Sequence, residues 1–235
     1  MMPPTPAVAS HAHIVETLGR RIAGGDLEPG SGMTVAGLEA EFSASRTVVR
    51  EAVRVLEAHG LLSSRRRVGL VVRPRAEWDS LDATVIEWTL DGPRRRDLLI
   101  ELTELRVAVE PVAARLAAER GNDDDRALLL RWAQRLSDLG AAGHGDSPEY
   151  LDADIAYHSL LLSAGGNPLF ANLASPITEI LRGRALRGLT PGIPRVGTLE
   201  AHLATARAIS ARDGAAAEAS AREHLTLVSG EMHGL

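Results

Sequence analysis

From about Arg94 to its end, the chain contains no run that alternates apolar and polar residues with period two. Alanine, leucine, arginine and glutamate dominate there. The pattern is interrupted at Gly121-Asn122-Asp123, at residues 140–148, at Gly165-Gly166-Asn167-Pro168, at residues 188–197 and at Asp213-Gly214. Helix-forming residues without a strand period do not build a sheet, so the larger part of the chain is restricted to helices packed on helices. The breaks predict roughly six of them in a compact bundle. The tract Ala215–Ala221 reads as part of a helix rather than as a linker.

The first 75 residues carry a different pattern. Ser10 is placed to cap a helix running to about Ala23, with Ile14, Leu18 and Ile22 on one face. Gly24-Gly25-Asp26 and Pro29-Gly30 break it. A short helix fits residues 35–42, with Leu38 and Phe42 together. Ser43-Ala44-Ser45 turns the chain, and Ser45 caps a third helix over 46–58, where Val49, Val53 and Leu56 share a face and Gly60 ends the run. Leu61-Leu62 and Gly69-Leu70-Val71-Val72 read as two short strands around the basic turn Arg65-Arg66-Arg67. Three helices and a hairpin, with arginine on the third helix and on the hairpin tip, are the plan of a winged helix-turn-helix. In that plan the third helix enters the major groove of double-stranded DNA with donors near its N-terminus. Ser45, Arg46, Thr47 and Arg50 occupy its first turns, Arg46 and Arg50 share a face, and Arg66 and Arg67 of the hairpin reach phosphates. The competing reading is an ordinary solvated helix face. Residues 76–92 join the two parts as a connector holding two of the three tryptophans, Trp78 and Trp88.

The charge follows the same division. The chain has a formal net charge of −5, which on its own disfavours a nucleic-acid binder. Residues 1–75, however, hold ten arginines against seven carboxylates, a net of +3, and residues 76–235 hold 16 against 24, a net of −8. A basic head is thus joined to an acidic body. All 26 basic residues are arginine, which suits phosphate and guanine contacts in the head; its use throughout the body reads as genome composition. The absence of cysteine excludes disulfides, thiolate metal sites and a thiol nucleophile. No stretch approaches the ~20 apolar residues of a membrane helix, and the opening MMPPTPAVAS lacks the basic and apolar regions of a signal peptide. The expectation is a cytoplasmic globular protein with no membrane partner.

The stretch Ser45-Arg46-Thr47-Val48-Val49-Arg50-Glu51-Ala52, continued by Leu56-Glu57 and Gly60-Leu61 and preceded by Gly25-Asp26-Leu27-Glu28-Pro29-Gly30, resembles the GntR family of bacterial regulators. The resemblance covers most of residues 10–73 and implies DNA contacts from Ser45, Arg46, Thr47, Arg50, Arg66, Arg67 and Gly69. Two positions depart from the family pattern. Ala36 stands where an arginine is usual, and Val68 precedes Gly69 where a basic residue is usual.

The acidic body carries a second constellation. Asp154 and His158 are four residues apart, on one helix face, and His202 and His224 fall on two later helices. Four nitrogen and oxygen ligands without a thiolate suit zinc, manganese, nickel or iron, although the spacing alone fits a surface pair as well. The all-helical part is similar to the FCD effector domain of the FadR subgroup. That similarity rests on Asp154 and His158, on His202 followed by Ala208-Ile209 and Asp213, and on His224-Leu225. It implies that all four residues hold one divalent ion. Glu104-Leu105-Arg106 and Glu110 match the start of that domain. Arg106 would face the pocket and clamp an effector carboxylate, or else form a buried structural pair with Glu110. Asn167 is expected to set a turn, and Arg182, Arg184 and Arg187 are open between pocket and surface. The connector, Arg75 to Trp88, is similar to that of galactonate-responsive repressors of this subgroup, which implies a sugar acid as effector.

The sequence therefore predicts a mainly α chain. A winged helix-turn-helix with its hairpin occupies 1–75, a connector 76–92, and an all-helical effector-binding and dimerisation domain 93–235. The expected activity is that of a homodimeric, non-enzymatic repressor, released from operator DNA by a small carboxylate at a metal site. Two rivals are a metal-dependent hydrolase using the Asp/His cluster and a metal-free regulator that binds an acyl ligand.

Overall fold

A computed structural model describes residues 10–194 and 197–233, with the backbone alone for 231–233. Apart from Ser10, the N-terminal stretch read against a signal peptide lies outside these residues, as do two residues of the break at 188–197. The chain divides into two compact units, residues 1–95 and 96–235.

The first unit opens with α1 (His11–Ala23), where the Ser10 hydroxyl accepts from the His13 N–H. A two-residue strand β1 (Gly32–Met33) follows, then α2 (Val35–Phe42), capped by Thr34, and α3 (Arg46–Ala58), capped by Ser45. The hairpin is β2 (Leu62–Arg65) and β3 (Gly69–Val72). The sheet order is β1-β3-β2, antiparallel throughout, with Arg65 opposite Gly69 and Gly32 opposite Val71. The strand β1 has no sequence signature, because two residues are too few to show alternation. The periodic residues do form the core: Ile14, Leu18, Leu38, Val49, Val53 and Leu56 are all buried, and Phe42 packs at its edge.

The connector is more structured than its sequence suggests. After a single 3-10 turn, Arg75–Glu77, Asp82 caps a helix α4 (Ala83–Leu90) by accepting from the Thr84 and Val85 N–H groups. Val85 and Trp88 of this helix belong to the core of the first unit. Trp88 is 1% exposed, lies edge-on to His59 and donates its indole N–H to Glu16 at 2.9 Å. Arg20 ties the same two helices together through Glu16, Glu87 and Asp91. An eight-residue helix with a mostly apolar sequence shows little 3.6-residue contrast, which is why it reads as a connector.

The second unit is all helix: α5 (Arg95–Arg120), α6 (Asp123–Ala141), α7 (Pro148–Ala164), α8 (Pro168–Ala171), α9 (Ala174–Ala185), α10 (Thr198–Ser210) and α11 (Gly214–His233). That is seven among the described residues, against the roughly six expected. The extra one is α8, a single turn started by Asn167, whose side chain accepts from the Leu169 N–H. The core joins Ala114, Ala117 and Ala118 of α5 to Leu129, Ala133 and Leu136 of α6. Ala153, Tyr157 and Leu161 of α7 and Ala206, Ile209, Ala217 and Ala221 of the last two helices complete it. Small residues at so many contacts let backbones approach closely, and α10 and α11 are packed along most of their length.

Gly19 of α1 exists for Trp88. A Cβ there would lie 2.5 Å from two carbons of the indole. Gly19→Ala is expected to cost about 1–3 kcal/mol through overpacking, read as a lower denaturation midpoint of the first unit.

Candidate nucleic-acid interface and metal centre

In the first unit the exposed basic side chains are sorted by their partners. Arg20 pairs with Glu16, Glu87 and Asp91, Arg21 with Glu41, Arg54 with Glu51, and Arg73 with Glu77. Arg46, Arg50, Arg65, Arg66 and Arg67 make no ion pair among the described residues. Those five lie on the first turns of α3 and on the hairpin. Ser45 holds the N-terminus of α3, accepting from the Val48 N–H, while Arg46, Thr47 and Arg50 are exposed. Arg66 and Arg67 are exposed at the hairpin turn, where Arg67 takes φ 66°. Gly69 has a structural reason of its own: its φ is 101°, and a Cβ would stand 2.6 Å from the Met33 carbonyl oxygen of β1. Val68 beside it is 60% exposed.

In the second unit three helices converge on one point. Asp154 and His158 come from α7, His202 from α10 and His224 from α11, and a fourth helix, α5, brings Arg106 and Glu110. The three imidazoles are buried and offer ligand atoms within 4.8 Å of one another. His158 Nε2 and His202 Nε2 are 3.4 Å apart, and Asp154 Oδ1 is 3.3 Å from the first and 3.7 Å from the second. Two nitrogens bound about 2.1 Å from one tetrahedral ion stand about 3.4 Å apart.

The opposite nitrogens are already committed. His158 Nδ1 faces Glu110 Oε2 at 2.8 Å, and His202 Nδ1 faces the Thr198 carbonyl at 3.0 Å. Both acceptors require an N–H, so in the neutral rings both Nε2 atoms present lone pairs to each other and to a carboxylate oxygen. Such a convergence is repulsive until a cation or a proton occupies it. His224 Nδ1 is buried and has no hydrogen-bond partner. These donors fit a divalent ion, with His158 also braced by a carboxylate behind it.

The electrostatics run the same way. Burial alone would raise Glu110, but Arg106 and His158 beside it hold its carboxyl down at about 2. Burial likewise opposes ionisation of Asp154, and contact with His158 brings it to about 2. Burial and the neighbouring His158 push His202 down to about 4, and burial pushes His224 well below the ordinary histidine range. Burial is the largest influence on His158 and lowers it, but the two carboxylates Glu110 and Asp154 together leave it raised. Two of the three rings are thus neutral at pH 7, ready to ligate.

Arg106 lines the cavity, but its Nε donates to Glu110 Oε1 at 2.6 Å, with both residues 1% exposed. One of its terminal nitrogens lies 3.3 and 3.1 Å from the two ring nitrogens of His158, alongside the ring rather than on either lone pair. The side chain therefore makes the structural pair with Glu110, the second of the two roles its spacing allowed. Of the three later arginines, Arg184 is buried and lines the cavity, Arg182 is exposed and Arg187 is half-buried. The contact of Glu110 with His158 had no separate signal in the sequence, because it joins helices 48 residues apart. The cavity beside the cluster measures about 50 Å³, several times the ~10–15 Å³ that one water needs.

Comparison with known proteins gives two family matches. Residues 11–72 match the model for bacterial regulatory proteins of the gntR family, and residues 101–227 match the FCD domain. The galactonate operon transcriptional repressor of Escherichia coli is 36% identical over 220 residues, 92% of each chain. The HTH-type transcriptional regulator LutR of Bacillus subtilis is 28% identical over 91% of this chain and 96% of its own. The solved structure of Lar, which controls the Listeria monocytogenes agr system, covers all of both chains with a TM-score of 0.60 at 17% identity, so the fold is shared.

His202→Ala and His224→Ala are each expected to leave purified protein without stoichiometric metal, as measured by elemental analysis. Glu110→Gln keeps the ligands but loses the charge behind His158, and metal affinity should fall about 10–100-fold. Undiminished metal in either histidine variant excludes the site.

Proposed function

The chain belongs to the GntR family of bacterial regulatory proteins and carries an FCD domain, and from that premise we propose that it is a homodimeric repressor whose DNA affinity is set by a small carboxylate bound at a divalent metal. As a family member it is a ligand-responsive, DNA-binding transcriptional regulator and not a metal-dependent hydrolase. The finer assignments are our reading. Residues 1–75 read DNA, 76–92 pass the signal, and 93–235 sense and dimerise. Each head engages one half of a near-palindromic operator. Arg46, Thr47 and Arg50 face base edges, and Ser45, Arg66, Arg67 and Gly69 lie against the backbone.

The observation that carries the sensing role is the triangle of Asp154 Oδ1, His158 Nε2 and His202 Nε2, with both Nδ1 atoms already engaged. With His224 they would hold zinc, manganese or nickel, and the ion would supply the positive charge that fixes an effector carboxylate. Arg106 keeps Glu110 ionised, and Glu110 keeps His158 oriented. The relative at 36% identity represses a galactonate operon, and we carry over the class, a sugar acid. A long acyl chain fits poorly, because the buried Asp154 and histidines would face hydrocarbon without partners. The effector would act by binding one arrangement of the heads better than the other. The helix α4, packed on the head through Trp88, is the element through which that difference reaches the DNA-reading surface.

Arg46→Ala and Arg50→Ala should each cost about 1–3 kcal/mol of operator affinity and relax base specificity. Arg66→Ala and Arg67→Ala should weaken binding evenly across sequences and lower the salt slope by about one each. Fluorescence anisotropy with operator and random duplexes at several salt concentrations, alongside circular dichroism to check folding, reads both. Unchanged binding by folded Arg46 and Arg50 variants overturns the recognition-helix assignment. Loss of operator binding on adding a sugar acid to metal-loaded protein, and not to metal-free protein, is the expected effector response.

A further inference from the structure

The sensing cavity contains a hydroxyl that the fold does not use. Thr198 is the first residue of α10 and lines the cavity together with Asp154 and the three histidines. Its Oγ1 is buried and has no hydrogen-bond partner. The threonines that are buried as whole residues are all satisfied in one way: Thr89 donates to Val85 O at 2.8 Å, Thr103 to Leu99 O at 2.7 Å and Thr205 to Ala201 O at 2.8 Å. Each closes back on the carbonyl four residues earlier. Thr198 cannot do this, because at the start of its helix no preceding turn exists.

Nor does Thr198 cap the helix. The residue before it, Gly197, takes φ 94°, and the Glu200 side chain accepts from the Gly197 N–H at 3.1 Å. The Thr198 backbone, meanwhile, is held firmly: its carbonyl accepts from His202 Nδ1. The hydroxyl is therefore fixed in position relative to a metal-ligating ring, yet available. Two of the neighbouring polar side chains are engaged elsewhere, while His224 Nδ1 in the same cavity is not. Arg106 is paired with Glu110, and Ser147 caps α7 by accepting from the Tyr150 N–H.

We propose that the Thr198 hydroxyl recognises a hydroxyl group of the effector, and so selects a hydroxylated carboxylate over its deoxy counterpart. A hydroxyl both donates and accepts, which matches an alcohol on the ligand. A buried site built to hydrogen-bond such a group discriminates against ligands lacking it, because the site is then left unsatisfied. The inference rests on the reading that this cavity holds a small carboxylate at a metal, and it names the group that chooses among such acids.

Thr198→Val keeps the shape and the backbone carbonyl and removes only the hydroxyl; Thr198→Ser keeps the hydroxyl. Metal-loaded wild type and both variants are titrated calorimetrically with D-galactonate and with its 2-deoxy and 3-deoxy counterparts. Metal content and thermal midpoint are measured on the same samples. Wild type and Thr198→Ser should prefer galactonate to at least one deoxy acid by about tenfold. Thr198→Val should lose that preference, with metal retained and no fall in the midpoint, since no internal hydrogen bond is removed. A preference that survives in metal-loaded Thr198→Val overturns the proposal and leaves the metal-effector reading standing. Loss of metal from Thr198→Val also overturns it, by showing that the residue acts through His202. Failure of metal-loaded wild type to bind any of the three acids overturns the sugar-acid reading, and this inference with it.

Discussion

The contact between His158 Nδ1 and Glu110 Oε2, 2.8 Å long and almost wholly buried, is the interaction on which the sensing half depends. A neutral imidazole has one donor and one lone pair, and the partner of one nitrogen decides what the other can do. Ionised, Glu110 offers one oxygen to Arg106 and the other to His158. Burial opposes ionisation, and the Arg106 guanidinium one helical turn away, with His158, overcomes it. Removing Arg106 would leave a buried carboxylate unpaired, a far larger loss than an exposed pair would suffer. The chain Arg106, Glu110, His158 is thus a single device: a charge pair that fixes a tautomer and aims a lone pair at the same point as Asp154 and His202. On the other side a backbone carbonyl does the same for His202, so the site is held by α5 and by the start of α10 independently.

The head uses the opposite strategy. There the useful arginines are those left unpaired. Carboxylates neutralise Arg20, Arg21, Arg54 and Arg73, while the five arginines of the α3 start and the hairpin keep their full charge toward solvent. Surface ion pairs contribute little stability, so their main effect here is to leave the unpaired positive charge at the start of α3 and on the hairpin. A net charge of −5 over the chain is then no obstacle to binding a polyanion, because the acidic excess belongs to the body.

How much of this the sequence carried depends on range. The three helices of the head were legible to the residue, since Ser10 and Ser45 cap the first and third, punctuation bounds the second and their apolar spacing is regular. The four convergent side chains were visible as types and spacings, and their order matched a known domain. What stayed hidden joins distant segments or single turns. The β1 strand is too short for a period, α8 is one turn, and α4 is too uniformly apolar to show a face. The carboxylate behind His158 and the idle hydroxyl of Thr198 are matters of three-dimensional satisfaction, and no residue pattern encodes them. Arg106 shows the limit well: a spacing of four from Glu110 permits an ion pair, and only the three-dimensional structure shows both groups buried and paired.

The assignment of α4 bears on how such a protein can respond at all. Residues 73–91 are stitched to the first unit along their length. The Trp78 indole donates to Arg73 O at 3.0 Å, the Asp79 N–H donates to His59 O, and Trp88 and Arg20 lock α4 to α1. The stretch between α4 and the first helix of the second unit is only a few residues, Asp91 to Arg94, and contains Gly92 and Pro93. A head built this way is a rigid reader, and a ligand has little means of altering the shape of its recognition surface. On the proposed reading, an effector would act on the population of placements of the whole head and not on its surface. The energy for that shift must come from a difference in ligand affinity between the placements, which requires a site stiff enough to distinguish them. The doubly anchored cluster, with His158 and His202 each held from behind, has that stiffness.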